Sequence, residues 1–128
     1  MSGATLAALH HVQVAAPRGS EPALRAFYVD VLGMTEVAKP PELAARGGAW
    51  FAAGTLELHV GVEDDFRPAR KAHPGMLAGS VADLVAIGAR LDAAGHDITW
   101  DDGFPGHRRF YVDDPHGNRL ELLAAEGS

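Results

Sequence analysis

The chain contains no cysteine. Disulfides and thiolate metal sites are therefore excluded, and the composition fits a reducing compartment. No run of about eighteen apolar residues occurs, so no segment is suited to span a membrane as a helix. The N-terminus lacks the basic-then-apolar pattern of an export signal. Basic residues are few, 11 Lys and Arg against 17 Asp and Glu. The net charge of −6 argues against nucleic acid as the main partner. A cytoplasmic protein with no membrane or nucleic-acid partner is the expectation. What is present is ordinary for one globular domain: 128 residues, 47% of them hydrophobic.

The chain carries one pair of metal-competent residues twice. His11 opens a strand-like run, and Glu57 lies in Leu56-Glu57-Leu58. The pair recurs as His73 and Glu121, the latter in Leu120-Glu121-Leu122. The offsets are 73 − 11 = 62 and 121 − 57 = 64. Gly33 and Gly95 are 62 apart, and Gly54 and Gly117 are 63 apart. Similarity at a nearly fixed offset predicts two copies of one structural unit.

Local patterns give the same unit twice. Leu9 to Val14 reads as a strand with His11, Gln13 and Ala15 on one face. Ser20 can cap a helix, and Leu24, Phe27, Tyr28, Val31 and Leu32 follow amphipathic spacing up to Gly33. Met34 to Val37 is a short strand, Pro40 and Pro41 break it, and a loop runs to Gly48. Ala49 to Ala53 and Thr55 to Val62 form a hairpin about Gly54. Residues 63–73 have linker composition. Beyond them come a strand over 75–79, a helix from Ser80 to Gly95 with capping-box-like spacing of Ser80 and Asp83, a strand over 98–100 and a second hairpin about Asp114-Pro115-His116-Gly117. The expected fold class is α+β: two βαβββ modules, at about 7–62 and 74–124, joined by the linker into one cup-shaped mixed sheet.

Side chains two apart on a strand share a face. Glu57 then lies beside His59; Glu121 lies beside Arg119 and Leu123; and His107, Arg109 and Tyr111 line up together. If the His11 face lines a cavity, the repeat places Glu57, His73 and Glu121 there too. Two imidazoles and two carboxylates suit one divalent ion such as Zn, Ni, Co, Mn or Fe. Either Glu57 or His59 can serve as the fourth ligand.

The segments Leu9 to Val14, Ala26-Phe27-Tyr28 with Leu32-Gly33-Met34, and Phe110-Tyr111-Val112-Asp113-Asp114-Pro115-His116-Gly117-Asn118-Arg119-Leu120-Glu121-Leu122 resemble the vicinal oxygen chelate superfamily. That superfamily includes glyoxalase I, extradiol dioxygenases, fosfomycin-resistance enzymes and bleomycin-binding proteins. The resemblance implies a cup of paired βαβββ modules with His11, Glu57, His73 and Glu121 as metal ligands. It implies a metal-dependent enzyme of the glyoxalase or lyase type that stabilises an enediolate or oxyanion, with Glu57 or Glu121 shuttling a proton. Arg109 would hold a substrate anion, Tyr111 would contact it, and Gln13, His59 and His107 would line the substrate site. Extradiol cleavage is disfavoured, because dioxygenases usually carry two such paired units. The other class it offers is a metal-free protein that sequesters a small molecule or antibiotic. A homodimer is expected, its cup either closed within one chain or made by exchanging modules.

Overall fold

A computed structural model describes residues 3–128. Its elements, in chain order, are β1 (Val12–Ala16), α1 (Glu21–Leu24) running on into a π-helical segment (Arg25–Val31), β2 (Thr35–Val37), α2 (Pro41–Ala44), β3 (Ala49–Ala53), β4 (Leu56–Val62), β5 (Gly75–Leu77), α3 (Val81–Ala93), β6 (Ile98–Asp101), β7 (His107–Asp113) and β8 (Arg119–Ala125). The strands form two four-stranded sheets, in the orders β1-β4-β3-β2 and β5-β8-β7-β6. In each sheet the first strand pairs in parallel with the last, and the other pairs are antiparallel. The α+β class and the two-module plan are therefore as expected.

The helices and the inward faces of both sheets share one core. Leu24, Phe27 and Tyr28 come from the first helical stretch, Leu84 and Leu91 from α3, Phe51, Leu58 and Val60 from one sheet, and Phe110, Leu120 and Leu122 from the other. Each large side chain buried this way contributes about 1.5–3 kcal/mol relative to exposure. α3 packs on its own sheet and also touches the π-helical segment of the other half.

Three local details differ from expectation. The first helix widens: Leu32 N–H bonds to the Phe27 carbonyl five residues back, and Met34 N–H to Tyr28 six back. α3 ends in the ordinary way, with His96 N–H on Leu91 five back and Gly95 N–H on Asp92. Residues 41–44 form one helical turn rather than a loop, because Pro41 sits at the first helical position, where its fixed φ suits the helix and its missing N–H costs nothing. The first ladder begins at Val12, which leaves His11 just outside it. The Ser80 cap forms as predicted, its hydroxyl accepting from Asp83 N–H at 3.0 Å.

Gly48 fixes the entry to β3. It has φ +80°, and a Cβ there would lie 2.0 Å from the Val60 carbonyl oxygen. Its N–H donates to Glu21 at 2.7 Å, and that bond holds the Glu21 carboxyl below its ordinary pKa.

The turn between β7 and β8 ties the two halves together. Asp114 accepts from Tyr28 O–H at 2.9 Å, from Asn118 Nδ2 at 3.0 Å, and from the backbone N–H of His116 and Asn118 at 2.9 and 3.0 Å. Asn118 Nδ2 also donates to the Ala15 carbonyl of β1 at 2.7 Å, while its Oδ1 accepts from Ala69 N–H at 3.0 Å. Burial and the adjoining carboxylate push the Tyr28 hydroxyl well above its ordinary pKa, so it stays a donor.

Candidate metal centre

In the second sheet the antiparallel register sets Tyr111 opposite Glu121, Arg109 opposite Leu123 and Asp101 opposite Arg109. His73 enters from the end of the linker, two residues before β5. Its Nε2 lies 2.9 Å from Glu121 Oε1, and its Nδ1 lies 2.9 Å from the Lys71 carbonyl oxygen. A carbonyl only accepts, so Nδ1 carries the proton. In the neutral ring, Nε2 then turns a lone pair toward a carboxylate oxygen. Two acceptors at that separation repel unless a proton or a cation lies between them. Two ligands held at right angles about 2.1 Å from one metal are themselves about 3.0 Å apart. The spacing and chemistry of this pair therefore fit a divalent ion.

Each member of the pair is braced from behind, as metal ligands commonly are. The Lys71 carbonyl orients the His73 ring, and Arg109 donates to Glu121 Oε2 at 3.2 Å. Arg109 also donates twice to Asp101 Oδ1, at 3.2 and 3.1 Å. Burial works against its charge, but the bonds to Asp101 and Glu121 outweigh it and raise its pKa. This changes the expectation for Arg109. Two carboxylates already occupy its guanidinium, which leaves less of it open to a substrate anion than the sequence suggests. Asp101, which the sequence reading passed over, is held below its ordinary pKa by Gly103 N–H and Arg109.

Tyr111 stands beside this group, its ring edge-on to His73 at 5.7 Å and covered by the Arg119 guanidinium at 3.9 Å. His107 is turned elsewhere, with its ring 4.1 Å from Phe104 and its Nδ1 3.2 Å from the Pro105 carbonyl.

In the first sheet His59 is the organising residue. Its buried ring lies flat between Trp50, at 3.9 Å and 5°, and His11, at 4.0 Å and 12°. Its Nε2 bonds to Glu57 Oε1 at 2.9 Å. That bond, aided by the nearby His10 and His11, holds Glu57 below its ordinary pKa, so Glu57 is a ready anionic ligand. Between the two candidates for fourth ligand, this geometry favours Glu57 and makes His59 its support. His11 is exposed and joins His10 through Nδ1 at 3.0 Å. Gln13, on the same face, lines a cavity of about 540 Å³ that also includes His73. Trp50 was missed, although register alone puts it opposite His59.

One chain does not bring all four expected ligands to one point. Among the described residues no group of three or more His, Asp or Glu could hold a metal. The expected ligands fall instead into two groups: His11 and Glu57 level with each other at the first sheet, and His73 bonded to Glu121 at the second. The ladders also correct the repeat. Val12 pairs with Leu58, so one step back sets His11 level with Glu57, whereas Gly75 is level with Glu121. The register equivalent of His11 is thus Gly75, and His73 lies two residues earlier on the same side.

The two sheets, alike in strand order and each carrying a His–carboxylate pair, mark a paired-module fold. The chain belongs to the Glyoxalase/Bleomycin resistance protein/Dioxygenase superfamily, which it matches over residues 8–122. It is similar to a crystal structure from Bacillus anthracis assigned to the glyoxalase family, with 41% identity, a TM-score of 0.91, and 98% of this chain and 100% of that one covered. Its fold is also that of lactoylglutathione lyase from Agrobacterium tumefaciens, at 22% identity and TM-score 0.65 over 88% and 91% of the chains. A third likeness is to a mutant of the fosfomycin resistance protein FosX from Listeria monocytogenes, complexed with Mn(II) and 1S,2S-dihydroxypropylphosphonic acid. It has 15% identity and TM-score 0.73 over 97% and 93% of the chains. No curated protein matches the chain. No helix among the described residues is long and apolar enough to cross a membrane.

Proposed function

We propose that the protein is a divalent-metal-dependent enzyme of the glyoxalase or lyase type, acting on a small molecule. In this reading two copies build each metal centre: His11 and Glu57 come from one copy, His73 and Glu121 from the other. The observation that carries it is the His73–Glu121 pair, whose Nε2 and carboxylate oxygen lie 2.9 Å apart with both groups braced. Two such half-sets per chain supply four ligands per site in a twofold dimer.

When bound, the metal would supply an electrophile that chelates neighbouring substrate oxygens and stabilises negative charge as it develops. The chain's own part is to position and to move protons. His59 commits one oxygen of Glu57, and Arg109 commits one oxygen of Glu121. Each carboxylate keeps its other oxygen for the metal or for a proton taken from substrate and returned to it. Tyr111 and Gln13 wall the space beside the pairs.

The test is metal uptake by protein purified without a histidine tag. One Zn²⁺, Ni²⁺, Co²⁺, Mn²⁺ or Fe²⁺ per chain is expected, and His73→Ala should abolish tight uptake. His59→Ala removes a support and not a ligand, so calorimetry should show a loss of about 10–100-fold in affinity. If no divalent ion binds under any loading condition, the enzyme reading falls and sequestration of a metal-free ligand replaces it.

A further inference from the structure

Arg119 stands two residues before Glu121 on β8 and points to the same face, about 6–7 Å along the strand. Its guanidinium lies 3.9 Å over the Tyr111 ring; its charge is felt by the Asp101 carboxylate, but among the described residues no carboxylate lies within ion-pair distance of it. The contrast with Arg109 is chemical: Arg109 is taken by Asp101 and Glu121, while the edge of Arg119 is uncommitted. Arg119 lines an open cavity of about 540 Å³ together with Arg70, Thr99 and Tyr111. Other charges at this cavity are largely accounted for. Arg70 neutralises Asp113 at 2.6 Å, and Asp114 is buried among its own donors. Only Asp97, exposed, adds an unpaired negative charge to the lining.

We infer that Arg119, stacked on Tyr111, is the anion receptor of this protein, and that its substrate carries a carboxylate, phosphate or phosphonate group a few bonds from the oxygens presented to Glu121 and His73. The substrate-class part rests on the proposed metal enzyme; the anion site does not. Stacking holds the guanidinium plane fixed and leaves its N–H edge free, the geometry that suits bidentate binding of a planar or tetrahedral anion. The sharing of Tyr111 between Arg119 and His73 links the two ends of the substrate, since the ring touches both.

The probe is methylphosphonate, which offers one anionic group, titrated into metal-free protein and followed by ³¹P NMR. Saturable binding is expected in wild type. Arg119→Gln should weaken it at least about 10-fold, and Arg119→Lys should fall between them, because a lysine keeps the charge without the fork. Metal uptake by Arg119→Gln should equal that of wild type. Unchanged methylphosphonate binding in Arg119→Gln, or no saturable binding in wild type, would overturn the inference. If the anion pattern holds while no variant, wild type included, takes up metal, the receptor stands and the metal-enzyme reading fails.

Discussion

Two inactive variants of this protein should restore each other when mixed. In the first, His11→Ala and Glu57→Gln remove the ligands of one sheet. In the second, His73→Ala and Glu121→Gln remove those of the other. Each alone should bind almost no divalent metal, since every site in its homodimer has lost one of its two pairs. A mixed dimer differs. One of its sites combines both damaged halves, and the other combines both intact halves. Random reassociation makes about half the dimers mixed, so about a quarter of the wild-type metal should return, near 0.25 ion per chain. The basis is that His11 and Glu57 lie level at one sheet, His73 and Glu121 are bonded at the other, and among the described residues no three His, Asp or Glu come together to hold a metal. A site closed within one chain gives no recovery at any mixing ratio. Metal analysis after refolding the two variants together decides the matter, and it needs no substrate.

Much of this fold was legible because side-chain periodicity reports backbone geometry. The spacing of Leu24, Phe27 and Tyr28 marks a helix, and all three are buried. The widening over Arg25–Val31 is different. It adds a residue to the turn through backbone hydrogen bonds and leaves no mark on the spacing of so short a stripe. Pro40-Pro41 reads as a breaker because proline ends helices, yet proline at the first helical position starts one.

The candidate site divides along the same line. Alternation along β4, β7 and β8 correctly groups Glu57 with His59, and Arg109 with Tyr111 and, across the ladder, Glu121. It cannot say how far each first strand has slid along its parallel partner. A two-residue slip keeps every side chain on its face, so offsets of 62 and 64 looked like one repeat while His11 and His73 occupy different levels. Nor can alternation show that a guanidinium is already taken. Arg109 and Arg119 share a face, and only their bonding separates them: Arg109 donates to Asp101 and Glu121, while Arg119 lies over Tyr111 with no carboxylate in ion-pair range.

The motif most specific to the superfamily turns out to support the fold, and its loss should be the most damaging single change away from the ligands. Asp114→Ala deletes the acceptor for Tyr28 O–H, Asn118 Nδ2 and two backbone N–H groups, at a residue only 4% exposed. None of these buried donors has another carboxylate to turn to. A buried donor left without its acceptor costs about 1–3 kcal/mol, so losing the acceptor of several at once should cost about 3–5 kcal/mol. Total stability is typically about 5–15 kcal/mol, so the variant should melt roughly 10–20 °C below wild type or fail to accumulate. Tyr28→Phe removes one donor and leaves Asp114 with the rest, so about 1.5–3 kcal/mol is expected there. The order of the two variants matters more than either value, because Asp114 is the centre of the network and Tyr28 lies at its edge. Thermal unfolding of both measures it. An Asp114→Ala protein as stable as wild type would mean that the tie between β1, the first helix and the β7–β8 turn contributes nothing, and that the halves are held by the apolar core alone.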